Sequence, residues 1–155
     1  MNFSRVLPYF CRGKVVHGFG RGSKELGIPT ANLAKEVVEH IPEDIPTGIY
    51  YGWASVDGGE VHKMVMSLRW NLFYKDKTKS MEPHILHHFK EDFYGSTLSV
   101  CIVGYIRPEM SYNSVDELIA AIHSDMEVAK QELDKPENRM YRDDNFFQEK
   151  TSSSL

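Results

Sequence analysis

The sequence predicts a mainly β protein, in which a small closed or nearly closed antiparallel barrel carries one amphipathic helix on its outside. Apolar, β-branched and aromatic runs of strand length recur along most of the chain, separated by polar and glycine-containing connections. Only one long segment, near the C-terminus, has helical periodicity. A barrel with the helix packed against it is the most economical arrangement of these elements in a short chain.

Length and composition predict one domain. The chain has 155 residues, of which 41% are hydrophobic, enough for one well-buried core and too few for two ordinary catalytic domains. We expect a single domain over residues 7–148 and a disordered polar tail over residues 149–155. The net charge is −4 and the charged residues are spread along the chain, so we expect no nucleic-acid partner, which would need a basic stripe.

The chain has no stretch that is long and apolar enough for a signal peptide or a membrane span. This predicts a cytoplasmic protein without a membrane partner, and we expect it to be a monomer. Cys11 and Cys101 each lie within an apolar, strand-like run. They therefore predict buried thiols in a reducing compartment, not a disulfide framework.

Five runs predict strands. Their bounds are 9–16, 48–56, 61–68, 81–89 and 97–106. A turn at residues 57–59 joins the second run to the third, because aspartate and glycine tolerate positive φ angles. In the third run Met64, Met66 and Leu68 share one face, and in the last run both faces are largely apolar, which predicts a central position.

One strong helix follows the strands. Ser114 and Glu117 form a capping-box pattern at its start, and Pro136 marks its end. Apolar residues recur between them at the helical period and predict one face that lies on the sheet. These residues are Val115, Leu118, Ile119, Ile122, Met126, Ala129 and Leu133. Earlier in the chain, the sequence also predicts a short helical turn over residues 34–41.

A glycine-rich loop followed by Thr30 and Asn32 is the segment most informative about function. Glycines from Gly18 to Gly22 leave backbone N–H groups free to approach phosphate oxygens, and Lys24 adds a positive charge. Thr30 and Asn32 place two neutral oxygen donors on one face of an extended backbone, which suits Mg²⁺ bound together with nucleotide phosphates. Ordinary turns remain an alternative for both features. No Walker, Rossmann or protein-kinase pattern is present, so a nucleotide site would be of another design.

Glu82 is the candidate general base, because a carboxylate within an apolar strand is costly unless it has partners or a task. A solvated edge position is the alternative. The neighbouring histidines, His84, His87 and His88, lack the cysteine or second acidic residue that would complete a tetrahedral zinc site.

Arg107 follows the last apolar run and precedes a proline, so we expect it at the end of a strand, over the rim of the barrel. An arginine at a rim is often simply solvated. Tyr112 follows a few residues later, and an arginine and a tyrosine together suit the border of a planar ring.

Five sequence blocks together resemble riboflavin kinase of the eukaryotic, monofunctional type. The blocks are residues 18–24, 26–32, 47–54, 90–95 and 103–109, and the resemblance covers roughly residues 7–148. It implies a six-stranded antiparallel Greek-key barrel with a C-terminal helix. It also implies transfer of the γ-phosphoryl group of ATP to the 5′-hydroxyl of the ribityl chain of riboflavin, which gives FMN and ADP.

The resemblance also implies roles for individual residues. The implied ATP-binding residues are Gly18, Lys24, Thr30, Ile85, His87 and Tyr94. The implied flavin-binding residues are Arg107, Met110 and Tyr112. Thr30 and Asn32 match the ligands of Mg²⁺, with Zn²⁺ or another divalent ion as the alternative. Glu82 matches the acidic residue assigned to the substrate hydroxyl.

Two residues depart from the family pattern. Where relatives usually read Gly-Trp-Asn-Pro, this chain has Arg69 and Leu72 in place of the glycine and the proline. If the glycine position requires a positive φ, Arg69 costs about 1 kcal/mol. We therefore expect a local change in stability or substrate affinity without loss of activity.

Three other functions are alternatives to riboflavin phosphorylation. A non-catalytic barrel that binds flavin or nucleotide would have no need of an acid such as Glu82 beside metal ligands. An enzyme that also adenylylates FMN would need a second module and a His-x-Gly-His signature, which this sequence lacks. An oligonucleotide-binding barrel would need a basic face.

Overall fold

Six strands pair antiparallel in one sheet within the part of the chain that the computed structural model describes, namely residues 6–16, 32–70, 79–87, 93 and 95–148. The strands are β1 Tyr9–Val16, β2 Asn32–Leu33, β3 Gly48–Val56, β4 His62–Trp70, β5 Lys79–Ile85 and β6 Thr97–Arg107. The helices are α1 Lys35–Val38, α2 Val115–Leu133, α3 Pro136–Arg139 and α4 Asn145–Gln148, with a 3₁₀ turn at Met140–Asp143. The predicted tail lies outside the described residues.

The strand order is β2-β1-β6-β3-β4-β5, and every pairing is antiparallel. Strands β3, β4 and β5 follow one another as a meander, and β6 returns to lie beside β3, which is the Greek-key arrangement. Cα atoms of the two edge strands, β2 and β5, approach within 8 Å of each other, so the sheet nearly closes. The prediction of a six-stranded Greek-key barrel is confirmed.

The barrel interior is filled by one side of each strand. Met64, Met66 and Leu68 are fully buried there, as the alternation in β4 predicts. From the neighbouring strands, further apolar side chains complete this core. They include Val15, Leu33, Tyr50, Met81, Ile85, Leu98, Val100 and Ile102. We call the opposite side of each strand the outer face.

Helix α2 packs on the outer face of β3 and β4. Its second half is covered, because Ala129 and Leu133 pack with Trp53 of β3 in a second apolar cluster. The first half is only partly covered, and Val115 is exposed, so the predicted face lies on the sheet over only part of its length. The Oγ of Ser114 accepts a hydrogen bond of 3.1 Å from the backbone N–H of Glu117, which is the serine half of the predicted capping box.

Three strands differ from their predicted bounds, β6 only in that it ends one residue later, at Arg107. Strand β4 continues past Leu68 to Trp70, and β5 begins at Lys79, because the last residues of β4 pair in register with the first of β5. The Nζ of Lys79 lies 5.1 Å from the centroid of the Trp70 ring, a cation–π contact across this extension. Strand β5 ends at Ile85, earlier than predicted, because the chain bends there.

Both cysteines are free; Cys101 is buried, as predicted, whereas Cys11 is only partly buried. Burial raises the pKa of the Cys11 thiol to about 12 and also raises the pKa of Cys101. Since the folded-state pKa values exceed the unfolded ones, the thiols favour the folded state below about pH 8.5, and this contribution is lost as the pH rises through the folded-state values.

We therefore expect neither cysteine to react with a disulfide reagent such as DTNB in native protein at about pH 8. Both should react in urea. Rapid labelling of either thiol in the folded protein would contradict the burial.

In the part of the chain that the structure describes, no helix has both the length and the apolar character needed to cross a membrane.

Candidate active site

Glu82 lies on the outer face of β5, because Met81 and Ile85 on the same strand face the interior core. The residue is only 8% exposed. Although β5 is an edge strand, Glu82 is not solvated there, and the structure leaves a buried carboxylate that needs hydrogen-bond donors.

Two side chains supply those donors. The Nη2 of Arg69 donates to Oε1 of Glu82 at 2.7 Å, and the Oγ of Ser80 donates to Oε2 at 3.2 Å. The register of β4 and β5 explains the contacts, since Arg69 is directly opposite Ser80, two residues before Glu82. An ionised carboxylate has about four acceptor positions, so Glu82 can accept further hydrogen bonds.

The strain expected at Arg69 does not arise. Arg69 lies inside β4, and Asp57 is the one non-glycine residue with a positive φ among the described residues. The expected cost of about 1 kcal/mol at a glycine position therefore does not apply here. Sequence reasoning missed the contact with Glu82, because the pairing of β4 with β5 was needed to find it. Leu72 lies outside the described residues.

Asn32, like Glu82, lies on the outer face of an edge strand. In β2 its neighbour Leu33 belongs to the interior core, so Asn32 is on the outer face, opposite Val16 of β1. Strands β2 and β5 are the edges that approach each other where the barrel nearly closes. The structure therefore places an amide oxygen donor and a buried carboxylate on the outer faces of adjacent edges.

Two other predicted nucleotide-site residues, Ile85 and His87, lie among the described residues. Ile85 belongs to the interior core, so its side chain and that of Glu82 face opposite sides of β5. His87 follows the end of β5 and stacks on His62, with ring centroids 3.9 Å apart. Burial, together with His87, lowers the pKa of His62. The remaining predicted residues, Gly18, Lys24, Thr30 and Tyr94, lie outside the described residues.

Arg107 and Tyr112 come together as predicted, with the guanidinium carbon 5.7 Å from the centroid of the tyrosine ring. Arg107 is the last residue of β6, at the predicted strand end. A β-bulge at Ile106 pairs Arg107 with Ile49, which belongs to the outer cluster. A second register shift between β3 and β6 precedes this one, and the two shifts cancel, so Arg107 lies on the outer face that unbroken alternation along β6 also predicts.

Asp125 of α2 holds Arg107 in a bidentate ion pair. Nε and Nη2 of Arg107 donate to Oδ1 and Oδ2 of Asp125 at 2.8 and 2.7 Å. These hydrogen bonds are the main reason that the pKa of Arg107 is raised. Sequence reasoning missed Asp125, although an acidic residue between Ile122 and Ala129 on the apolar face was a usable signal. Met110, the third predicted flavin residue, is exposed.

Among the described residues, no three histidine, cysteine, aspartate or glutamate side chains form a metal-binding group. The predicted metal ligand that the structure describes is instead the amide of Asn32, on the outer face of β2. Neutral oxygen donors fit a hard cation that takes its other ligands from water and phosphate.

Six antiparallel strands in a nearly closed sheet with C-terminal helices define this protein as a small Greek-key β-barrel. The structure matches the crystal structure of riboflavin kinase from Trypanosoma brucei with a TM-score of 0.76 and 30% sequence identity, over 95% of this chain and 93% of that one. The family model named Flavokinase, riboflavin kinase, matches residues 6–133. Riboflavin kinases of Mus musculus and Homo sapiens are each 62% identical over 144 residues, which cover 93% of this chain and 93% of each relative. The chain belongs to the riboflavin kinase family.

Proposed function

We propose that this chain transfers the γ-phosphoryl group of ATP to the 5′-hydroxyl of riboflavin, forming FMN and ADP, and that Glu82 accepts the hydroxyl proton. Family membership and the 62% identity to mammalian riboflavin kinases support the reaction. A row of residues across the outer face of the sheet supports the site assignment.

The strand registers align four residues across four adjacent strands. Arg107 of β6 is opposite Ile49 of β3, Ile49 is opposite Ser67 of β4, and Ser67 is opposite Glu82 of β5. Three strand spacings separate the two ends of the row, or about 14 Å. This span is comparable with the length of riboflavin, a tricyclic ring with an extended polyol chain.

The chemical character of the two ends fits the two ends of riboflavin. At one end, Arg107 and Tyr112 offer a cation and an aromatic ring to a planar, polar heterocycle. At the other end, Glu82 offers a carboxylate to a hydroxyl group. We therefore place the flavin ring beside Arg107 and the terminal ribityl hydroxyl beside Glu82.

Phosphoryl transfer needs an alcohol in line with the γ-phosphorus and neutralisation of the charge on the phosphates. Glu82 would orient the hydroxyl and take its proton. Asn32, together with Thr30, would hold Mg²⁺, which offsets negative charge on the phosphates when it is bound. The loop from Gly18 to Lys24 would supply backbone N–H groups and a lysine to the phosphates.

The metal ion, the oligomeric state and the compartment are further parts of the proposal. We propose Mg²⁺ as the divalent ion, with Zn²⁺ as the alternative, and a monomer that acts in the cytoplasm. A single domain over residues 7–148 remains a prediction from the sequence.

Incubation of the purified protein with riboflavin and MgATP, followed by chromatography, tests the function. We expect FMN to accumulate with ADP in equal amounts, and neither to form when EDTA removes the metal or when ATP is omitted. Binding of riboflavin without any FMN would instead identify a non-catalytic flavin-binding barrel and would refute the proposal.

A further inference from the structure

The ion pair between Arg69 and Glu82 joins a half-exposed cation to a buried anion. The side chain of Arg69 is 45% exposed and that of Glu82 is 9% exposed, and their N···O distance is 2.7 Å. A buried carboxylate is costly without compensation, whereas an exposed guanidinium can be solvated. Glu82 therefore depends more on this contact than Arg69 does.

The two oxygens of Glu82 are held unequally. Oε1 accepts a short, charge-assisted hydrogen bond from Nη2 of Arg69. From the described residues, Oε2 accepts only the bond of 3.2 Å from Ser80, longer than the usual ~2.7–2.8 Å of an O–H···O bond. A serine hydroxyl can rotate to another acceptor, so the hydrogen bond from Ser80 to Oε2 can be given up. Oε2 is therefore the carboxylate oxygen that is available to an incoming group.

We propose that Arg69 is a positioning residue, which anchors Oε1 of Glu82 so that Oε2 is presented to the substrate hydroxyl. The inference rests on the proposed role of Glu82. The 5′ O–H bond breaks as the bond from oxygen to the γ-phosphorus forms, and the proton passes to Oε2. The bond from the γ-phosphorus to the bridging oxygen breaks, and ADP leaves with that electron pair.

A positioning residue affects turnover more than substrate binding. We expect Arg69→Met to lower kcat for FMN formation about tenfold to a hundredfold, with little change in the KM for riboflavin. Arg69→Lys should recover part of the lost kcat, because one N–H donor makes the contact and lysine can supply it. Lys63→Met is the matched control, since Lys63 lies on the same strand but pairs with Asp134 on α2's C-terminal side. It should leave kcat unchanged.

Thermal unfolding of each variant separates positioning from a structural role. If the kcat of Arg69→Met, corrected for the folded fraction, equals or exceeds the parental value, the inference is overturned. Failure of Arg69→Lys to recover any activity in a folded protein also counts against it.

Glu82→Gln, alone and combined with Arg69→Met, separates this inference from the proposed function. We expect the double variant to be no slower than Glu82→Gln, because Arg69 acts through Glu82. Near-parental turnover by Glu82→Gln would refute the role of Glu82 itself. Loss of turnover by Glu82→Gln but not by Arg69→Met would refute only the role of Arg69.

Discussion

Glu82→Gln is expected to lower kcat for FMN formation by about 10²–10⁴-fold, with little change in the KM for riboflavin. Glutamine has the size and shape of glutamate, and its amide oxygen can still accept the hydrogen bond from Arg69. The amide cannot accept a proton from the substrate hydroxyl at neutral pH. The variant should therefore fold and bind riboflavin, and fail at the chemical step.

Initial rates of FMN formation at saturating riboflavin and MgATP measure this effect. Glu127→Gln is a suitable control, since Glu127 is exposed on α2 and pairs with Lys130. It should keep the parental rate. Turnover by Glu82→Gln at close to the parental rate would mean that Glu82 is not the base.

Asp125→Asn is expected to reduce the free energy of unfolding by about 3 kcal/mol and to weaken riboflavin binding. Asp125 is 4% exposed, and its carboxylate accepts both hydrogen bonds that hold Arg107 at the end of β6. The asparagine amide can accept only one of them and removes the compensating charge. Arg107 then loses its fixed position beside Tyr112.

Urea unfolding and fluorescence titration with riboflavin measure the two effects. Asp134→Asn provides the matched control, because its ion pair with Lys63 has the same 2.7 Å distance but a solvent-exposed carboxylate. Exposed pairs contribute little, so this variant should unfold close to the parental protein. Equal destabilisation by the two substitutions, or unchanged riboflavin affinity in Asp125→Asn, would contradict the role of the Arg107 ion pair.

The barrel could be predicted from the sequence because alternation along a strand is a local signal. Strands β1 and β3 have the predicted bounds, Tyr9–Val16 and Gly48–Val56. Strand β2 was missed because it has only two residues, Asn32 and Leu33, and exists through its pairing with β1. The short helices α3 and α4 were missed as well, since neither has enough turns to show a helical period.

The candidate site could be predicted only in part. Glu82 and Asn32 stood out by residue type and context, and Arg107 and Tyr112 by their proximity in the chain. The outer-face placement of Glu82, Asn32 and Arg107 becomes certain only when the strands are paired, since in β6 two register shifts cancel before Arg107. The ion-pair partners, Arg69 and Asp125, depend on the same register and on how α2 packs, so local sequence patterns could not assign them.

The most direct test of the central claim is a crystal structure with riboflavin, Mg²⁺ and a non-hydrolysable ATP analogue. We expect the 5′ oxygen of riboflavin about 3 Å from Oε2 of Glu82, with the flavin ring beside Arg107. We also expect the metal about 2.1 Å from the amide oxygen of Asn32. A ribityl chain that ends away from Glu82, with the metal bound elsewhere, would show that Glu82 is not the base and Asn32 not a metal ligand.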